Sequence, residues 1–251
     1  MTLLKMSKIS ARFGPTHAVQ DVSLHLNQHE FVSIIGPSGC GKSTLLKILM
    51  GTILPDRGNV EFNDQALLHN QYPFAFMPQR DALMPWRRII DNVTLGLEIQ
   101  GVKRSTARRV IEPLFEKFGL DGFQRHYPVQ LSGGMRQRAA LMRTIVQDKP
   151  VQLLDEPFSA LDALTRVELQ RWLEAAWQEE QWSTLLITHD VREAIALSDR
   201  IYVLSARPAR VIAEIQIPFE RPRKGSKFLK SASRIETEIL DLLLTQTGKS
   251  I

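Results

Sequence analysis

The run Gly36-Pro37-Ser38-Gly39-Cys40-Gly41-Lys42-Ser43-Thr44 fits the pattern G-x-x-x-x-G-K-[ST]; an apolar stretch precedes it, and Leu45 to Leu49 follow as the start of a helix. Residues of these types at this spacing do phosphate chemistry. Glycines leave backbone N–H groups uncovered so that they can wrap an anion, and the helix that follows turns its positive end toward it. Lys42 is expected to reach the β- and γ-phosphates of a nucleotide, Ser43 to offer its hydroxyl to Mg²⁺, and Thr44 to add a phosphate contact. Cys40, the only cysteine, reads as a small loop filler, because no histidine stands near it in sequence to activate a thiol.

A second group, Val151-Gln152-Leu153-Leu154-Asp155-Glu156-Pro157, is a mostly apolar strand ending in two carboxylates. Beside a phosphate loop, the first acid, Asp155, can hold Mg²⁺ through water, and the second, Glu156, can polarise the attacking water. A third, Leu131-Ser132-Gly133-Gly134-Met135-Arg136-Gln137, opens a helix with Ser132 at the N-cap and glycines that allow close backbone approach. It is an anion cradle with no lysine of its own. Two cradles and one such lysine suggest that the second serves a nucleotide held on another chain.

The elements that must position these groups are legible in outline. Alternating apolar residues predict strands over Lys8 to Phe13, Ala18 to Leu26 and Phe31 to Ile35. From Ile89 to about Ile145 the pattern is helical, with segments near Arg104 to Phe118 and Met135 to Ile145. Short apolar runs at Val151 to Leu154, Thr184 to Ile187 and Ile201 to Leu204, separated by helical stretches, predict a parallel β/α core. A helical insertion therefore interrupts an α/β domain. Near the end, Ile235, Ile239, Leu242 and Leu243 share one helical face, which should pack on its own domain.

The chain has 251 residues, 43% apolar and 24% charged, which excludes disordered, collagenous and coiled-coil classes. No run approaches the roughly 18 apolar residues of a membrane helix, and Met1 to Lys8 carries scattered charge, unlike a secretory signal. A cytosolic, reducing location is expected. The net charge of +5 traces to residues 205 to 234, rich in arginine and lysine. That stretch reads as a solvated basic face or as a surface near anionic lipid; nucleic acid is disfavoured, since no recognition motif accompanies it. His17, His25, His29, His69 and His126 form no metal-ligand pattern, so Mg²⁺ is expected and structural zinc is not.

With the three blocks in this order, the chain resembles the ATP-binding subunits of ABC transporters over nearly its whole length, Leu131-Ser132-Gly133-Gly134 matching the signature that separates them from other P-loop NTPases. The resemblance implies an α/β fold: a P-loop NTPase core with an N-terminal antiparallel β subdomain and an inserted α-helical subdomain. It implies one ATPase domain over 1–251, with the helical subdomain at about 86–146 and a basic strand and helix extension at about 205–251. It also implies that Gln79 is the Q-loop glutamine, touching Mg²⁺ together with Ser43 and Asp155. Ser159-Ala160-Leu161-Asp162 resembles the D-loop and His189 the switch histidine, while Phe13 stands where an aromatic stacks on adenine.

In that family two chains close head to tail around two ATP molecules, Ser132 and Gly134 of one meeting the γ-phosphate held by Lys42 of the other. The implied partners are a second copy or a paralogous ATPase subunit, integral membrane permease subunits and, indirectly, an external solute-binding protein. No nucleic acid is implied, and the location is peripheral, at the cytoplasmic face of the membrane. Met84-Pro85-Trp86-Arg87, the stretch from Asp155 to Arg166, and Ala206-Arg207-Pro208-Ala209-Arg210-Val211-Ile212 are similar to importers of the nitrate, sulfonate and taurine group and their pyrimidine-precursor relatives. Trp86 reads as a packing residue. The rival class is a soluble ABC ATPase of translation or DNA repair, but the joined ATPase domains of the first and the long coiled coil of the second are both missing.

Overall fold

The computed structural model describes residues 1–67, 73–159 and 161–246. In chain order the elements are β1 (Thr2–Phe13), β2 (Thr16–Asn27), β3 (Phe31–Ile35), α1 (Lys42–Leu49), β4 (Arg57–Phe62), β5 (Gln65–Ala66), β6 (Phe74–Met77), α2 (Ile89–Val93), α3 (Leu95–Ile99), α4 (Arg104–Ile111) and α5 (Leu114–Lys117). A 3-10 turn at Pro128–Gln130 leads to α6 (Gly133–Ile145), β7 (Val151–Asp155), α7 (Ala163–Glu180), β8 (Ser183–Thr188), α8 (Val191–Leu197), β9 (Arg200–Leu204), β10 (Val211–Gln216) and α9 (Gly225–Gln246). The chain divides into two compact units, one of Met1–Pro73 with Leu173–Ile251, the other of Phe74–Trp172.

The first unit holds two sheets. One is antiparallel, in the order β2-β1-β4-β5; the other runs β10-β9-β3-β8, with β3 parallel to both β8 and β9 and β10 antiparallel to β9. β3, β8 and β9 are buried at every position, as expected for strands covered on both faces. The predicted first strand extends back to Thr2, because Leu4 and Met6 continue the inward-facing set of Ile9 and Ala11 across a bulge at Lys8. Ile239 of α9 lies in the core among Ile195, Ile201 and Val203, with Ile235, Leu242 and Leu243 packed beside it, so the terminal apolar face does pack on its own unit.

Arg200 is the buried tie between these sheets. Its side chain is 2% exposed and donates twice to Glu30 (3.0 and 2.8 Å), once to Glu214 (2.9 Å), once to the His25 carbonyl (3.0 Å) and once to the Tyr202 hydroxyl (3.0 Å). Burial, with this cation alongside, lowers the pKa of His25 below its usual 6.5.

The basic stretch near the end is only partly the solvated face predicted for it. Arg223, with its side chain 1% exposed, donates to the carbonyls of Phe219 (3.0 Å), Ile195 (3.0 Å) and Ser198, and burial together with nearby Arg221 pushes its pKa down to about 10. Arg221 pairs with Asp199 and lies 4.3 Å over the Trp177 ring. These arginines satisfy helix-end carbonyls and stack on an aromatic, so their charge is structural.

The second unit pairs β6 with β7 in parallel and carries the helices α2 to α6. The single helix predicted over Arg104 to Phe118 is broken into α4 and α5 at Pro113, whose ring and missing N–H interrupt the ladder. Asp91 on α2, its side chain 6% exposed, receives Arg104 at 2.5 Å and Arg108 at 2.6 Å. Burial alone would raise its pKa; the hydrogen bonds from the two arginines outweigh that and hold the carboxyl below the usual range. Trp86 does not pack as predicted: it is 74% exposed.

Replacing Arg200 by leucine strands the largely buried Glu30 carboxylate and should cost about 3–5 kcal/mol of stability, the range for breaking a buried pair. Urea unfolding measures it, and a variant as stable as the parent would refute the tie.

Candidate functional site

In the first unit, β3 delivers the chain directly into the loop 36–41, and α1 begins at Lys42. Two backbone positions need glycine. Gly41 has φ +135°, and a Cβ there would sit 2.6 Å from the Ala18 carbonyl; Gly39 has φ +72°. No side chain caps α1 and no acid stands in its first turn, so the leading N–H groups are presented by the backbone alone. Lys42 is 6% exposed, and its Nζ donates to the carbonyls of Gly36 (2.8 Å) and Pro37 (3.0 Å). Ser38 and Ser43 are exposed, and Thr44 is half-buried.

His189 follows β8, the strand paired with β3 through Ile35 and Thr188, so the loop and the histidine leave neighbouring strand ends. His189 is exposed; next to it Asp190 caps α8, accepting from the N–H groups of Arg192 (2.9 Å) and Glu193 (3.1 Å). Phe13 ends β1 before the Gly14 turn and is 49% exposed, leaving its ring accessible for stacking.

In the second unit, β6 and β7 pair Met77 with Leu154, which places Gln79 and Glu156 at matching positions beyond the strand ends. Gln79 Nε2 donates to Glu156 Oε2 at 2.9 Å. Asp155 is the last residue of β7. Glu156 has φ +46°, a left-handed conformation costly for a side-chain-bearing residue, and the following turn is closed by Ser159, whose N–H and hydroxyl both donate to the Glu156 carbonyl (3.2 and 3.0 Å).

Ser132 does cap α6, accepting from Met135 N–H at 3.3 Å. Gly133 and Gly134 begin the helix, and a Cβ on Gly134 would lie 2.6 Å from Thr165 Cγ2. Leu131 is buried, and buried Gln137 donates to the Pro157 carbonyl, linking α6 to the turn beyond Glu156. Asp162 caps α7, accepting from Leu164 and Thr165, and hydrogen bonds from Thr165 lower its pKa. Ala160 and His69 lie outside the described residues.

One contact in the first unit escaped the sequence reading. Arg207 donates through Nε (3.0 Å) and Nη2 to the Gly39 carbonyl inside the phosphate loop. Its only sequence signal was membership of the run from Ala206 to Ile212.

The family model described as "ABC transporter" matches residues 19–159. The formylaminopyrimidine import ATP-binding protein ThiZ of Halalkalibacterium halodurans is 36% identical, covering 98% of each chain. The nitrate import ATP-binding protein NrtD of Synechococcus elongatus is 40% identical over 92% of this chain and 86% of its own. Among solved structures, the dimeric post-hydrolysis state of the ATP-binding cassette MJ0796 bound to ADP and Pi is 27% identical with TM-score 0.75, covering 87% of this chain and all of that one. The chain belongs to the ABC transporter family, as an ATP-binding ATPase subunit.

Proposed function

We infer that this ATPase subunit powers an importer for a small anionic or heterocyclic solute, of the nitrate, sulfonate, taurine or pyrimidine-precursor kind. The observation that supports this most directly is its full-length likeness to a subunit named for formylaminopyrimidine import. Among the described residues no helix is long and apolar enough to cross a membrane, so the path for the solute belongs to permease subunits, with an external binding protein delivering the solute to them. The subunit then works at the membrane's cytoplasmic face.

In this reading Lys42 exchanges the Gly36 and Pro37 carbonyls for the β- and γ-phosphate oxygens of ATP, while the backbone N–H groups of 39–44 surround the anion. Phe13 stacks on adenine. The hydroxyl of Ser43, the amide of Gln79 and the carboxylate of Asp155 each carry an oxygen of the hard kind that suits Mg²⁺. Bound there, the ion offsets the charge on the phosphates.

Glu156 is the base for the attacking water, and the amide of Gln79 orients its carboxylate. His189 contacts the γ-phosphate. Ser132, Gly133, Gly134 and Gln137 serve the nucleotide of a second copy or a paralogous subunit, with Ser159, Leu161 and Asp162 beside that junction. Closure of the pair on ATP, and release after hydrolysis, is the stroke passed to the permease. Trp86, largely uncovered on the helical unit, is the kind of aromatic that a docked permease would bury.

Glu156→Gln should lower turnover by about a hundredfold or more while keeping ATP binding and trapping a dimer on sizing columns; near-normal hydrolysis would remove Glu156 as base. Mixing Lys42→Ala with Ser132→Arg chains should restore ATP-dependent pairing at one of the two shared sites, and a mixture no better than either chain alone would count against sharing. Trp86→Ala should reduce recovery of a multispanning permease from detergent-solubilised membranes without changing ATP affinity. Capture of ribosomal or DNA-repair proteins in place of a permease would move the subunit to the soluble class.

A further inference from the structure

The phosphate loop has to hold its peptide planes in one orientation while lacking side chains to do so. Lys42 and the Cys40 N–H, which reaches the Pro37 carbonyl at 3.2 Å, tie the first half of the loop to itself. The Gly39–Cys40 peptide is the weak point, since Gly39 imposes almost no restriction on rotation about its own backbone bonds. If this peptide turned over, the Gly39 carbonyl would exchange places with the Cys40 N–H and set an oxygen against the Pro37 carbonyl, undoing the loop's own tie.

The structure supplies an external clamp for that peptide. The turn 205–210, between β9 and β10, is closed by Ser205: its N–H donates to the Arg210 carbonyl (2.9 Å), and its hydroxyl accepts from Arg210 N–H (3.0 Å) and donates to the Ala206 carbonyl (2.8 Å). The turn is laddered onto β2, with Ala209 N–H on the Ala18 carbonyl (3.0 Å), Gln20 N–H on the Ala209 carbonyl (2.9 Å) and Arg210 Nη2 on Gln20 Oε1 (2.7 Å). That stretch of β2 is also the wall against which Gly41 packs, 2.6 Å from the Ala18 carbonyl oxygen to a would-be Cβ. Gly36 at the start of the loop meets the other end of the frame, with Leu204 Cβ at 3.0 Å from a would-be Cβ. From this frame Arg207 alone among its residues reaches back, forking Nε and Nη2 onto the Gly39 carbonyl.

We propose that Arg207 is a positioning residue for ATP binding: its guanidinium holds the Gly39 carbonyl outward and so keeps the Cys40 N–H of the same peptide on the Pro37 carbonyl, fixing the loop in the shape that receives the phosphates. In a trans peptide the C=O and N–H point in opposite directions, so fixing one fixes the other. A bond from a charged donor is stronger than a neutral one, and two donors on one oxygen set the direction as well as the distance. The effect falls on ground-state binding, because the clamp touches neither the attacking water nor the leaving group. This inference rests on the loop being the ATP site.

The test is ATPase kinetics on the purified chain with three variants, alongside equilibrium binding of a fluorescent N-methylanthraniloyl ATP. Arg207→Ala should raise both the ATP KM and the probe Kd about tenfold, as expected for losing one charge-assisted hydrogen bond, with kcat within about twofold of the parent. Arg207→Lys, which keeps a charged donor, should recover most of the affinity. Lys224→Ala removes a charge from the same basic stretch at an exposed position outside the turn and should leave KM and Kd at parental values. Nucleotide-free melting temperatures of Arg207→Ala and the parent should agree, since Arg207 is exposed. Arg207→Ala binding as well as the parent, or Lys224→Ala weakening binding equally, would overturn the clamp while leaving the ATP site intact. A parent chain that bound no nucleotide would overturn the ATP site and the clamp together.

Discussion

A loop that binds phosphate through its backbone cannot also be stabilised by its own side chains, and much of the first unit answers that constraint. Gly39 and Gly41 occupy backbone conformations that disfavour other residues, and those conformations shape the loop's turn. The order that side chains would have supplied has to come from neighbours. β3 feeds the loop from a fully buried position between β8 and β9, the Ala18–Val19 segment backs Gly41, and Leu204 backs Gly36. Lys42, folded onto the loop's own carbonyls, completes the support.

The cost of such a frame is polar groups taken out of water, and the unit resolves it with arginine. Arg200 and Arg223, each almost wholly buried, terminate on carboxylates and backbone carbonyls, so nearly every desolvated donor finds an acceptor. A positive balance concentrated in residues 205 to 234 therefore gives a misleading picture of surface charge. Arg207, Arg210, Arg221 and Arg223 are each committed to an acceptor within the first unit, and composition cannot distinguish an arginine facing solvent from one capping the end of a helix.

The same distinction separates what the sequence revealed from what it concealed. The strand-loop-helix around Lys42, the strand ending at Asp155 and the Ser132 cap were legible because each depends on residues adjacent in the chain, with the period or capping chemistry written locally. The short strands β4, β5 and β6 went unread because β4 and β5 lack a buried alternating face, while β6 is brief and holds its place by pairing with the distant β7. Trp86 was misread for a related reason: aromatic character signals burial only when a neighbour exists to cover it, and among the described residues Trp86 stays largely uncovered. The hydrogen bond from Gln79 to Glu156 could be anticipated only once β6 was known to lie beside β7.

Glu156 carries the argument from support to chemistry. A glutamate held at positive φ gives up backbone comfort, and such strain survives only where the surroundings over-determine it. Here the surroundings are specific: Ser159 closes the turn through two donors to the Glu156 carbonyl, Gln137 fixes the next peptide through Pro157, and Gln79 takes one carboxylate oxygen. The proposed base is thus gripped at its main chain by Ser159 and by Gln137 of α6, and at its side chain by the glutamine beyond β6. Because main chain and side chain are held by different segments, a movement of any one of them shifts the carboxylate, so the position of this group is coupled to the turn after β7, to α6 and to the stretch beyond β6.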